Sequence, residues 1–149
     1  MGVAHLIGLA DTELAVLAGQ RPMLADQRLV LFGCDESDPE TFHKAVLDAR
    51  PHLSRFADHR VRADPAGCAG TALNVLLQAS DGITVRFDVD AVDSGDLPLA
   101  NFPHYGTGVT LQQAGQALSV AMTAQNTRPS FSPKSTQVTT RAVTRSIAM

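Results

Sequence analysis

The sequence predicts an α/β domain of three layers, αβα, with a mostly parallel sheet between helices on its two faces. Three observations carry this. Helical and strand patterns alternate along the chain, the strand candidates are short apolar runs of the kind buried on both sides, and caps and turns fall between them. A chain of 149 residues allows one ordinary domain. Hydrophobic residues make up 44% and charged residues 18%, enough to build a core and too apolar for whole-chain disorder.

Taken in order, Val3 to Leu17 places apolar residues at Leu6, Ile7, Leu9, Leu14 and Leu17 and reads as an amphipathic helix weakened by Gly8. Leu29-Val30-Leu31-Phe32, followed by Gly33, reads as a buried strand. Acidic Asp35 to Asp38 before Pro39 suits a cap and first helical turn, predicting a helix to about Ala49 that Arg50-Pro51 stops. His59 to Ala63 is a weaker strand candidate, and Asp64-Pro65 opens a helix through Leu77. After the Asp81-Gly82 turn, Ile83 to Asp90 is the strongest strand, β-branched and aromatic until it meets two carboxylates. Ser94 to Gly108 is a Gly- and Pro-containing loop. Thr110-Leu111-Gln112-Gln113 has capping-box spacing ahead of a helix reaching Ala121 or Met122.

Composition removes several function classes. Aromatic residues are 5% with no Trp, which argues against a base-stacking platform, and a net charge of −3 leaves no global basic footprint, so no nucleic-acid partner is expected. Cys34 and Cys68 are too few for a disulfide framework and form no CxxC pair, so a reducing cytoplasm is the expected location. No apolar run is long enough to span a bilayer and no leader pattern opens the chain, so no membrane partner is expected. The last 27 residues depart from the rest. Residues 123–149 hold four basic residues, no acidic one and ten Ser or Thr, for a charge of +4 against −7 over residues 1–122. Such a segment reads as a disordered basic tail.

The chemistry concentrates at Asp88-Val89-Asp90. Carboxylates at i and i+2 of a strand face one side, and at a strand end both can turn toward one hard cation such as Mn²⁺ or Mg²⁺. Strand-end aspartates are commonly just solvated. Here the apolar strand in front would put the charges at the edge of a core, where an unrelieved pair is costly. His104, between Pro103 and Tyr105 in the following loop, is a candidate substrate contact, although a surface loop histidine is the more ordinary reading.

ITVRFDVDAVDSGDLPL followed by GVTLQQAGQAL resembles the C-terminal part of the arginase, agmatinase and formiminoglutamase family, the ureohydrolases. Asp88, Asp90, Asp93, Pro98, Gly108, Val109 and Thr110 match the order of its signature, a strand ending in Asp-x-Asp-x-x-Asp, a proline-containing loop, then Gly-(Leu/Val)-Thr and a helix. The resemblance spans residues 1–122. It implies an arginase-like αβα fold, truncated, with two Mn²⁺ ions whose activated water attacks a guanidino or formimino carbon of a small-molecule substrate. It implies Asp88 and Asp90 as metal ligands, Asp93 as a structural residue near the site that orients the loop, and homo-oligomeric assembly. Arg86, Ser94 and Leu99 depart from the usual residues at their positions.

The family's remaining ligands lie in Gly-Gly-Asp-His and Asp-Ala-His-x-Asp segments, and neither occurs in this sequence. Two ligands of six cannot fix a metal pair, so the expectation is that the binuclear Mn²⁺ centre is not retained, that no catalytic residue can be assigned, and that the chain alone is inactive. The family also continues after its last helix with Leu-Thr-Glu-Val-Asn-Pro and then His-Asp-Pro. Phe131 to Arg141 can be back-translated so that a shifted frame encodes Leu-Thr-Glu-Val-Asn-Pro-Gly-His-Asp-Pro, which suggests a frameshift between about Leu118 and Phe131. Two other classes fit less well. A haloacid-dehalogenase-type phosphotransferase would use Asp88 as nucleophile and Asp90 as acid/base, but the only later lysine is Lys134 and no acidic residue follows Asp96. A non-catalytic assembly fragment, completed by a separate chain, is the other.

Overall fold

The computed structural model describes residues 2–9, 13, 19, 21–36, 44–101, 103–123, 127–132 and 138–142. Its elements are α1 (Gly2–Leu6), β1 (Leu29–Cys34), α2 (Lys44–Asp48), β2 (Ser54–Ala57), α3 (Asp58–Ala63), α4 (Pro65–Ala79), β3 (Ile83–Asp88), α5 (Leu111–Thr123), β4 (Thr127–Ser132) and β5 (Val138–Ala142). They form one five-stranded sheet in the order β2-β1-β5-β3-β4. β1 pairs in parallel with β2, and β3 with β4, while β5 runs antiparallel to both β1 and β3. Four strands therefore share one direction, as a mostly parallel sheet requires, and their carboxyl ends lie along one edge.

Strand alternation divides the core into the expected layers. Val30, Phe32, Phe56, Ile83, Val85 and Phe87 face α3, α4 and α5 in one cluster. Leu29, Leu31 and Cys34 face the opposite way, onto Ile7, Leu24, Leu47 and Leu53. Cys34 reaches that second face because Gly33, at φ +74°, inserts an extra residue against β2 between the Phe32–Phe56 and Cys34–Ala57 partners. The buried residues of the helix layer are mostly small: Cys68, Ala69 and Ala72 beside Leu73 and Leu76 on α4, and Ala114, Ala117 and Ala121 on α5.

Two of the sequence expectations for caps hold in detail, while that at Asp38-Pro39 lies outside the described residues. The Asp64 carboxylate accepts from the Gly67 amide at 2.9 Å, with Pro65 opening α4. The Thr110 amide donates to Gln113 Oε1 at 2.9 Å, and the Gln113 amide to Thr110 Oγ1 at 3.2 Å, a reciprocal capping box at the start of α5.

Several elements differ from expectation. The strand forecast over His59 to Ala63 is a helix, and the strand lies just upstream in β2. Asp58 at the first turn pairs with Arg62 one turn later at 2.9 Å, and Val61 alone in that stretch beds into the core beside Asp58, which suits helical spacing better than alternation. The first helix ends at Leu6, where Gly8 takes φ +75°. The rest of its forecast length, apart from Ile7 to Leu9 and Glu13, lies outside the described residues, as do residues 37–43 of the second helix. The third strand stops at Asp88, and Val89–Ala91 form a 3₁₀ turn. The stretch read as a disordered tail supplies β4 and β5, with Thr140 paired to Val30 on one side and Val85 on the other. Its β-branched Val138-Thr139-Thr140 favours extended backbone, a cue that composition averages conceal.

Candidate metal centre

β3 delivers Asp88 to the shared carboxyl edge of the sheet, and the 3₁₀ turn carries Asp90 back beside it. This is a tighter arrangement than two strand residues sharing a face, because the Asp88 carboxylate caps the turn and accepts from the Asp90 amide at 3.4 Å. Both acids are buried, Asp88 at 0% exposure and Asp90 at 6%. Asp90 Oδ1 is buried with no hydrogen-bond partner. Burial first, then the adjacent Asp88 charge and a hydrogen bond with its side chain, push the Asp90 carboxyl above the usual carboxylate range, and His104 opposes them.

The loop after the turn is tied down by its own polar groups. Asp93 accepts from the Gly95 amide at 2.7 Å through Oδ1 and from the Gly106 amide through Oδ2, so one carboxylate joins the two limbs of the loop. Ser94 and His104 are linked reciprocally: the Ser94 amide donates to His104 O at 3.0 Å, and the His104 amide to Ser94 Oγ at 3.1 Å. The His104 ring points inward, with Nε2 2.6 Å from the Asp90 carbonyl oxygen and Nδ1 3.0 Å from Thr107 Oγ1. Val109 then bridges Val92, with its amide on Ala91 O at 3.0 Å and its carbonyl accepting from the Asp93 amide at 2.9 Å. Gly108 makes that approach possible: it sits at φ +79°, and a Cβ there would lie 2.7 Å from Ala91 O. Asp96 closes the loop by accepting from the Leu111 amide at 3.1 Å.

Asp88, Asp90, Asp93 and His104 thus belong to one knot, but they do different things. Both ring nitrogens of His104 face partners within the chain. Among the described residues no group of three or more His, Cys, Asp and Glu side chains could hold a metal ion. The orphaned Asp90 oxygen beside Asp88 is what a hard cation would satisfy, so the couplet fits as part of one ligand set. It does not fit a two-metal centre.

Two further buried groups near the same edge carry no motif in the sequence that marks them as site candidates. Asp58, just past β2, accepts from the His59 amide at 2.6 Å and pairs with Arg62. The Cys34 thiol donates to Phe56 O at 3.7 Å, and burial, reinforced by Glu36, pushes it up to about 12, so it is not a nucleophile. A largely apolar cavity of about 30 Å³ lies between the sheet and α4 and α5, lined by Phe32, Phe87, Leu73, Ala117 and Leu118 among others; it is a packing gap.

The fold is arginase-like, as its likeness to solved arginases shows. The structure matches the arginase of Bacillus caldovelox, in its native structure at pH 5.6, over 100% of this chain and 46% of that one, with a TM-score of 0.76 and 20% identity. It matches Bacillus subtilis arginase over 88% of this chain and 45% of that one, at TM-score 0.74 and 20% identity. For Helicobacter pylori arginase the values are 88% and 47%, at TM-score 0.70 and 14% identity. The chain spans less than half the length of these arginases. No family model and no curated protein matches its sequence.

Proposed function

We propose that this chain descends from a Mn²⁺-dependent hydrolase of guanidino or formimino C–N bonds, and that by itself it is inactive. The observation that carries this reading is the unpartnered, buried Asp90 oxygen beside Asp88, at the carboxyl edge of β3 in an arginase-like fold. In such folds ligands gather beyond the carboxyl ends of parallel strands. A Mn²⁺ pair supplies the activated water in the ureohydrolase family; two carboxylates do not build that pair, so no catalytic step follows from this chain's own residues. What these residues do is hold two buried acids on a braced turn. The substrate class is a small guanidino or amidino compound, and the wider assembly is a homo-oligomer.

The test is an assay of the purified chain with excess Mn²⁺ for urea or ammonia release from arginine, agmatine and formiminoglutamate. The expected outcome is no release above the protein-free blank. Sustained turnover that Asp90→Asn removes would overturn the claim of inactivity, and turnover indifferent to Asp88→Asn and Asp90→Asn would overturn the site.

A further inference from the structure

We propose that His104 is a positioning residue that holds the Asp90 turn in place from across the loop, a role resting on the reading of Asp90 as the acid that faces a cation. The Asp90 carbonyl can only accept, so the 2.6 Å contact requires the proton on Nε2. In the neutral ring Nδ1 then accepts from the Thr107 hydroxyl at 3.0 Å, which fixes the tautomer and the plane of the ring together. The same residue's backbone is locked to Ser94 by two hydrogen bonds, so the ring cannot drift without breaking the loop's base. Asp90 itself sits in a turn with three other backbone ties: its amide meets Asp88 Oδ1 at 3.4 Å, the Val92 amide closes the turn on Val89 O at 3.1 Å, and Ala91 O accepts from the Val109 amide at 3.0 Å, so that the imidazole is the side chain that holds the Asp90 carbonyl. A short hydrogen bond from an anchored imidazole to the Asp90 carbonyl therefore sets where the backbone, and with it the unpartnered Oδ1, points. His104 acts through Asp90 and needs no substrate.

The experiment uses the full chain, metal-free, as wild type, His104→Gln and His104→Leu. Long-range ¹H–¹⁵N spectra in mildly alkaline buffer report the imidazole tautomer, and hydrogen exchange reports the Asp90 and Val92 amides. The wild type is expected to carry its proton on Nε2. His104→Leu is expected to speed exchange at Asp90 and Val92 by about tenfold relative to the amides of β1, the loss of roughly one hydrogen bond, and the Gln amide is expected to restore most of it. A proton on Nδ1 overturns the proposal, as does unchanged local exchange in His104→Leu. Should the Leu variant fail to fold, the wild-type tautomer and the Gln variant still decide. Mn²⁺ titration by electron paramagnetic resonance separates the two readings. An Nε2 tautomer with local protection but no Mn²⁺ uptake supports the role of His104 and removes the reading of Asp88 and Asp90 as cation ligands.

Discussion

Asp90 is held in the fold against an electrostatic penalty, and that penalty has a definite sign. Its carboxyl is raised by burial and by Asp88, so the folded chain disfavours the ionised form while the unfolded chain does not. Stability from this group is therefore fully present below the ordinary carboxylate range near about pH 4 and declines as pH rises through the raised folded value. Asp90→Asn removes the charge while keeping the shape. The variant is expected to be more stable than wild type at neutral pH, with the gain vanishing in acid, as followed by urea denaturation across pH; a gain that grows in acid would contradict burial of an ionised Asp90 as the cause. Cys34 offers a second check at this scale. With its thiol buried and pushed up to about 12, it is expected to resist alkylation in the native chain and to react on unfolding.

At the scale of elements, the start of α5 depends on Gln113 more than an isolated capping box would. Beyond the reciprocal bonds with Thr110, its Nε2 donates to Arg62 O at 2.9 Å and ties α5 to the end of α3. Gln113→Ala is expected to cost about 1–2 kcal/mol in chemical denaturation, since it removes a cap partner and a long-range bond. Gly108→Ala is expected to cost at least about 1–3 kcal/mol, because the new Cβ meets Ala91 O in a left-handed backbone. Both positions are legible in the sequence, Gln113 through its spacing from Thr110 and Gly108 through the Gly-Val-Thr order. The bond to Arg62 is not, as it joins residues 51 apart. Nor is the end of β3: a run of apolar residues into Asp-x-Asp reads as continuous strand, and only the Asp88 cap on the Asp90 amide reveals the turn. The strand expected over His59 to Ala63 fails for the same kind of reason. Alternating Arg and Val suggests a strand, while the Asp58–Arg62 pair that favours a helix begins one residue before that stretch.

Across the whole molecule, the sheet contains an internal mismatch. Central strands of doubly covered sheets are usually continuous apolar runs, yet β5 reads Val-Thr-Thr-Arg-Ala and lies antiparallel between β1 and β3. Its composition is that of the +4 segment whose shifted frame would encode Leu-Thr-Glu-Val-Asn-Pro. We propose that this segment arose by frameshift; the nucleotide sequence across codons 118–141 is expected to carry that alternative frame, and any other sequence there ends the idea. The rest of the core is conventional. Leu76, fully buried on α4, is expected to cost about 2–5 kcal/mol on replacement by Ala. The arginase-like layers are legible because strand and helix periods survive in residues 29–122. The two strands of the tail are not, because hydroxyl-rich segments carry little hydrophobic pattern.

The claim on which the rest depends is that Asp88 and Asp90 form part of a hard-cation ligand set and, among the described residues, lack the partners to complete it. The measurement that tests it most directly is titration of the purified chain with Mn²⁺, followed by electron paramagnetic resonance, beside Asp88→Asn and Asp90→Asn. We expect weak uptake of about one ion, with a dissociation constant on the order of 0.1–1 mM or above, abolished by either substitution. A tight, spin-coupled pair of ions in the wild-type chain, or uptake indifferent to both substitutions, would contradict the account.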